Sequence, residues 1–361
     1  MILYAVLFLV LLWCVMWELD LTTVTCFPPV LSKPYVKRIW NALPVFMIFL
    51  FGIFRDTTVG HDAQSYYVDY WCMRDYYSWI KLATDFTMDN GFFAILKIIG
   101  LFTSDYWVAR AVLFTITFAI YYAVMREESP HTALSIIVFL GLAHLGLMYG
   151  ILRQALAGSI CFLSYTQIKK GAWKKCAVLI LVGITIHKSS IICALMLLLY
   201  YLETKVKMKK CSGLQLLFLS VIVGIGAFVV IPIITSLYSG GSYADIAVPD
   251  GGYGMLLFMI AIFMLLTCLM HKTNTKEDSE LAFLYNLSCG ALLLQVGALQ
   301  WSLLNRVTVY FSIYWCLLFP KLICKLPKRQ KLFFSLIVVV MFGFMFFYQL
   351  SDVEMFVMHQ F

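Results

Sequence analysis

The sequence predicts an all-α, polytopic membrane protein, and three observations carry that class. Only 13% of the 361 residues are charged while 62% are hydrophobic, about half the charged share of a soluble domain. Mean hydropathy is +0.89, and several apolar runs reach the roughly 17–25 residues that cross a hydrocarbon core. The basic residues gather in short connectors between those runs. The net charge of +8 therefore points to membrane anchoring and not to nucleic acid.

Twelve spans are expected, at about residues 2–17, 39–54, 105–125, 132–150, 153–168, 174–187, 189–202, 214–236, 254–270, 281–300, 305–320 and 332–349. The first begins Met1-Ile-Leu-Tyr4 with no basic n-region and no small-residue cleavage site after it, so it reads as a helix and not a leader. The second is bounded by Arg38 and Arg55, the third by Asp105 and Arg126. Arg153 divides the fourth from the fifth, and His187-Lys188 divides the sixth from the seventh. The eighth follows Lys209-Lys210, the ninth ends at His271-Lys272, and Arg306 opens the eleventh after the tenth. The last follows Lys328-Arg329-Gln330-Lys331. Eleven cysteines without a paired spacing suggest no disulfide or zinc framework.

Orientation follows from charge. With both termini outside, connectors 18–38, 126–131, 169–175, 203–210, 271–280 and 321–331 lie inside and hold 19 of the 27 Lys and Arg. Residues 176–202 carry lysine clusters at both flanks, so a hairpin turning at His187-Lys-Ser-Ser190 keeps both clusters inside. Residues 132–168 turn likewise near Arg153-Gln154, and residues 281–320 between Gln300 and Arg306. Three hairpins then present Arg153, Gln154, His187, Lys188 and Arg306 on the outer side, beside Arg55 and Asp62.

One membrane domain covers residues 1–361, with two outer loops. Loop 55–104 is dense in Asp, Tyr and Trp and includes an interfacial helix from Asn90 to Phe102. Loop 237–254 is rich in Gly, Tyr and Asp. The aromatic residues between Tyr66 and Trp79 fit an interfacial belt or a carbohydrate groove, and the sequence does not separate the two.

Arginine within a span costs ~2.5–3.5 kcal/mol and faces a partner or a wet cavity. Arg55, Arg153 and Arg306 suit phosphate oxygens, since a guanidinium offers a fork of donors; buried pairing with Asp56 or Asp62 is the structural alternative. His187 is a candidate general base near neutral pH, and Asp62 is the competing base or the carboxylate that holds an arginine. Gly60 lets the loop turn sharply. No metal site is expected, because His61 and Asp62 lack further ligands at suitable spacing.

Arg55-x4-Gly60-x-Asp62-x3-Tyr66, Arg153-Gln154-x-Leu-Ala157, Ile186-His187-Lys-Ser and Arg306-x3-Tyr310 together resemble EpsG-type and Wzy-type polysaccharide (O-antigen) polymerases. The resemblance runs from residue 55 to 310 and rests on the order of the motifs. It implies a GT-C-like membrane bundle in the bacterial inner membrane, with the outer face periplasmic and neither metal nor other cofactor required. It further implies transfer of a growing glycan from undecaprenyl diphosphate to the terminal sugar hydroxyl of a lipid-linked repeat unit, as in lipopolysaccharide or similar surface-glycan synthesis. Membrane lipids, a chain-length regulator and a flippase would be its partners. His187, Asp62, Arg153 and Arg306 would then act in catalysis. Arg55, Gln154, Lys188, Tyr66 and Tyr310 would bind substrate. Two rivals remain: a transporter or flippase of the same lipid-linked oligosaccharide, and another GT-C-like lipid-linked transferase such as a ligase.

Overall fold

The computed structural model describes residues 2–19, 34–56, 59–60, 62–84, 89–205, 253–273, 278–299 and 303–350. The expected span 214–236, His61, and loop 237–254 apart from Tyr253 and Gly254 lie outside the described residues. Among the described residues the regular elements are helical. In chain order the longer ones are α1 (Ile2–Glu18), α2 (Pro34–Ile53), α3 (Asn90–Gly100), α4 (Tyr106–Glu128), α5 (Thr132–Gly141), α6 (His144–Gly150) and α7 (Leu152–Lys169). They continue as α8 (Trp173–Ile186), α9 (Ala194–Lys205), α10 (Tyr253–Lys272), α11 (Ser279–Ala298), α12 (Leu303–Ser312), α13 (Trp315–Cys324) and α14 (Lys328–Leu350).

Each expected span within the described residues coincides with helix, to within a few residues. Long, apolar elements are the ones whose hydrophobic runs are easiest to read. The count of twelve is not established by these helices. Five are long and apolar enough to cross a membrane: α4, α10, α11, the run 304–324 and α14. A sixth is reached if α5 and α6 form one broken span, bent by 58°. The remaining apolar helices, such as 2–18 and 39–53, are shorter, and a short arm spans only with thinning or snorkelling. The bend falls at Ala143, a non-glycine residue at φ 63°, and the nearby Gly141 carbonyl accepts from Gln349 Nε2 at 3.0 Å.

The chain divides into two compact units, residues 1–191 with 327–361, and residues 192–326. In the first, helices α1, α2, α4, α5 and α7 share two well-separated ends. At one end Glu18 accepts the Ala133 backbone N–H (3.0 and 3.2 Å) and so caps the start of α5. Lys169 pairs with Glu128 at 2.7 Å and Lys170 with Glu127 at 2.9 Å at that same end, fixing the ends of α4 and α7 together. At the other end lie the start of α4, the start of α7 and the end of α8. A 23-residue helix such as α4 puts about 35 Å between the two ends. The described parts of loop 55–104, residues 62–84 and 89–104 among them, pack at the second end.

In the second unit, α11 and α12 pack as neighbours across a short connection. Glu280 pairs with Lys321 at 2.8 Å and Asp278 with Lys325. These contacts join the start of α11 to the end of α13, so Arg306, in the first turn of α12, sits at the opposite end of that unit from Lys321 and Lys325.

Candidate functional site

Two buried arginines draw the loop after α2 onto the helix ends. Arg55 sends Nη1 to the Met148 carbonyl at 3.1 Å and lays its guanidinium over the Tyr149 ring, 4.5 Å from its centroid. Arg110 donates to the Asp56 and Val59 carbonyls, both at 3.0 Å. Both arginines therefore brace backbone. Gly60 completes the turn at φ 120°, where an added Cβ would lie 2.3 Å from the Tyr149 carbonyl oxygen. Only glycine meets both conditions.

The chain then enters a short helical turn and a π-helix, Tyr66–Trp71, closed by Cys72 N–H on the Tyr67 carbonyl at 2.9 Å. Such widened turns recur at functional sites. Here it brings Tyr66 and Tyr70 to one side, and both rings meet the guanidinium of Arg153, at 5.7 and 4.4 Å. Arg153 lies in the first turn of α7. Its backbone N–H, one of the donors that a helix start leaves unpaired, reaches the Tyr66 hydroxyl at 3.4 Å, and Nε does so at 3.5 Å.

Asp89 supplies the counter-charge. It occupies the N-cap position of α3, and its carbonyl accepts the Phe92 and Phe93 N–H groups. A capping aspartate ordinarily uses its side chain on those donors. This one makes no side-chain cap bond; the carboxylate is turned to Arg153 Nη1 instead. The same carboxylate oxygen stands 3.8 Å from His187 Nδ1, ion-pair range but beyond a direct hydrogen bond. His187 ends α8 in extended backbone, its carbonyl accepting both the N–H and the hydroxyl of Ser190 at 3.0 and 2.8 Å. The start of α3 packs so tightly on the end of α8 that a Cβ on Gly91 would lie 2.4 Å from Thr185 Oγ1. That close approach is what carries Asp89 to His187.

Beneath these groups Tyr66, Trp71, Phe92, Leu96, Leu152 and Ile186 form one apolar cluster. It ties the loop, α3, α7 and α8 into a single floor. The cluster above is half-buried, with Arg153, Asp89 and His187 side chains 23%, 10% and 21% exposed. Burial alone would raise the Asp89 carboxyl; His187 and Arg153 outweigh it and hold the group below its usual range. The Tyr70 hydroxyl is pushed up to about 12, chiefly by burial. At neutral pH the site therefore combines a fixed carboxylate, a guanidinium and an imidazole. Among the described residues no group of three His, Cys, Asp or Glu is placed to hold a metal ion. A cavity of about 390 Å³ lined by Glu18, Asn41, Tyr122 and Arg126 lies at the lysine end, away from this cluster.

The structure thus brings together Arg153, His187 and Tyr66, with Gln154 buried beside Arg153 and Lys188 exposed beside His187. Asp62 lies one turn ahead of Tyr66 and makes no ion pair among the described residues. Arg55 is buried below the loop. Arg306, exposed, and Tyr310, buried, belong to the second unit. Asp89 is the member that sequence reasoning missed. Standing directly before an apolar helical run, it has the pattern of an ordinary cap.

No curated protein and no solved structure matches the chain. The sequence model of the EpsG family matches residues 38–361. That match takes in every element that builds the cluster, from the end of α2 to the end of α8. With this match over most of its length, the chain belongs to the EpsG family.

Proposed function

We propose that the protein is a surface-glycan polymerase of the inner membrane, acting at the periplasmic face on undecaprenyl-diphosphate-linked repeat units. The observation that carries this reading is the meeting of Arg153, Asp89 and His187, from three separate segments, at one helix end. Family membership supports the class of reaction, and the separation of this end from Lys169 and Lys170 supports its placement outside.

In the reaction, the acceptor sugar hydroxyl attacks the anomeric carbon of the donor glycan. The new glycosidic C–O bond forms as the bond from that carbon to the diphosphate oxygen breaks. The electron pair leaves with the lipid diphosphate, and the hydroxyl proton passes to His187. Arg153 has one nitrogen on Asp89 and keeps a partly exposed edge for a diphosphate oxygen, where charge develops as the bond breaks. Asp89 holds Arg153 and the His187 ring in place and offsets the positive charge that the imidazole gains as it takes the proton. Asp62 would orient a sugar hydroxyl, and Tyr66 would hold the Arg153 guanidinium in place. An O-antigen repeat unit suits this arrangement as well as any other lipid-linked oligosaccharide.

The test is the glycan of cells carrying Arg153→Ala. The variant should reach the membrane at normal abundance while the cells display only single-unit glycan. Wild-type chain lengths would remove that arginine from the mechanism. Unpolymerised units trapped on the cytoplasmic side would favour a transporter, and lipid-linked polymer not passed to its final acceptor would favour a ligase.

A further inference from the structure

A row of aromatic rings leads away from Arg153 along the loop surface. Arg153 lies over Tyr70, and Tyr70 stacks on Phe93 with centroids 5.1 Å apart and planes 30° apart. Phe93 meets Tyr77 at 5.0 Å, and Tyr77 meets Tyr76 at 5.4 Å. Phe93, in the middle of the row, is 3% exposed, Tyr70 and Tyr77 on either side of it are partly buried, and Tyr76 at the far end is 72% exposed. The row therefore starts at the ionic cluster and ends in solvent. We propose that it is a carbohydrate track that begins beside Arg153 and Tyr70, with Tyr77 and Tyr76 as the stations on which sugars of the glycan stack. The proposal rests on the polymerase reading only for the identity of the chain that occupies it.

Two observations separate a track from a belt of rings at the lipid surface. First, ring orientation is fixed from within. Phe93 packs against both Tyr70 and Tyr77, and Lys81 Nζ lies 4.8 Å from the Tyr77 ring and 5.6 Å from the Tyr76 ring. Lys97 Nζ fastens the backbone below, donating to the Arg74 and Tyr77 carbonyls at 3.1 and 2.9 Å. A belt needs no such bracing, because depth alone orients its rings. Second, carboxylates accompany the row: Asp69 and Asp75 are exposed beside Tyr70 and Tyr76. Anionic lipid repels carboxylates, whereas sugar hydroxyls need such acceptors while the C–H face of the ring covers the aromatic.

The experiment uses the full chain in nanodiscs. The probe is lipid-free glycan released by mild acid from the cells that make it, and binding is followed by saturation-transfer NMR. Tyr76→Ala and Tyr76→Leu should each weaken glycan binding about three- to tenfold, the size of one aromatic contact, while Tyr76→Trp binds as wild type. Tyr77→Leu should act in the same direction. In the polymerisation assay the leucine variants should join the first two units at the wild-type rate and yield shorter chains. Wild-type binding by Tyr76→Leu would overturn the track, since leucine keeps apolar bulk and lacks a stacking face. Polymer made by a protein whose variants all bind glycan equally removes the track and spares the polymerase. Glycan binding that depends on Tyr76 in a wild-type protein that makes no polymer removes the polymerase and spares the track.

Discussion

Asp89→Asn changes two atoms' chemistry and none of the shape, so it isolates the charge that joins Arg153 to His187. Losing one partner of a sealed ion pair costs ~3–5 kcal/mol. Here the Arg153 and Asp89 side chains are 23% and 10% exposed. Water reaches the orphaned guanidinium, and roughly 1–3 kcal/mol of stability is the expected loss. Transfer should suffer more. An imidazole no longer held opposite a carboxylate loses its orientation, and positioned acid–base catalysis contributes about 10²–10⁴-fold. The assay is ladder formation by purified protein from lipid-linked units, beside His187→Ala and the double variant. If the two residues act as a unit, the double variant should be no slower than the slower single one. The carboxyl of Asp89 is held below its usual range. Its stabilising contribution is therefore complete above the unfolded carboxylate value of about 3.9 and disappears as pH falls through the lower folded value. The difference in thermal stability between wild type and Asp89→Asn should thus persist down to about pH 5 and shrink below about pH 4. Transfer by Asp89→Asn within about twofold of wild type, a negligible loss on the acid–base scale, would refute the reasoning. So would a stability difference that already collapses near pH 6, within the imidazole range.

Arg153→Lys keeps the charge but loses the fork, and polymerisation should fall about 10²-fold with membrane abundance unchanged, as read on glycan ladders. Gly91→Ala places a methyl 2.4 Å from Thr185 Oγ1 and 2.9 Å from the Thr185 carbonyl carbon; it should push α3 off α8 and lower transfer. Adding Thr185→Ala should restore only part of the loss, because the backbone contact remains. Gly60→Ala meets backbone at φ 120° and should cost about 1–3 kcal/mol, seen as a lower melting temperature and reduced membrane yield.

The helices were legible because lipid demands long apolar runs and leaves charge only at their ends; α4, α10 and α14 needed nothing more. His187 was legible for the same reason, since a histidine and a lysine inside such a run mark a break, and α8 does end at Ile186. The bend at Ala143 was not. Residue 143 is alanine, neither Pro nor Gly, yet its backbone is left-handed. Arg153 was visible as a cation between apolar arms, but its partner was not. Asp56 and Asp62 stand closer to Arg55 in the chain and in the motif, yet the tight seat of Gly91 on Thr185 brings Asp89 to Arg153 from 64 residues away. Pairings across a loop depend on such three-dimensional contacts, and no periodicity records them.

The most direct measurement of the central claim is product analysis of purified protein reconstituted with lipid-linked repeat units and nothing else. The account predicts a ladder of lengthening lipid-linked glycans with one lipid diphosphate released per bond formed, abolished by Asp89→Asn and by Arg153→Ala. Units that stay single, or that merely change sides in a sealed vesicle, would contradict it.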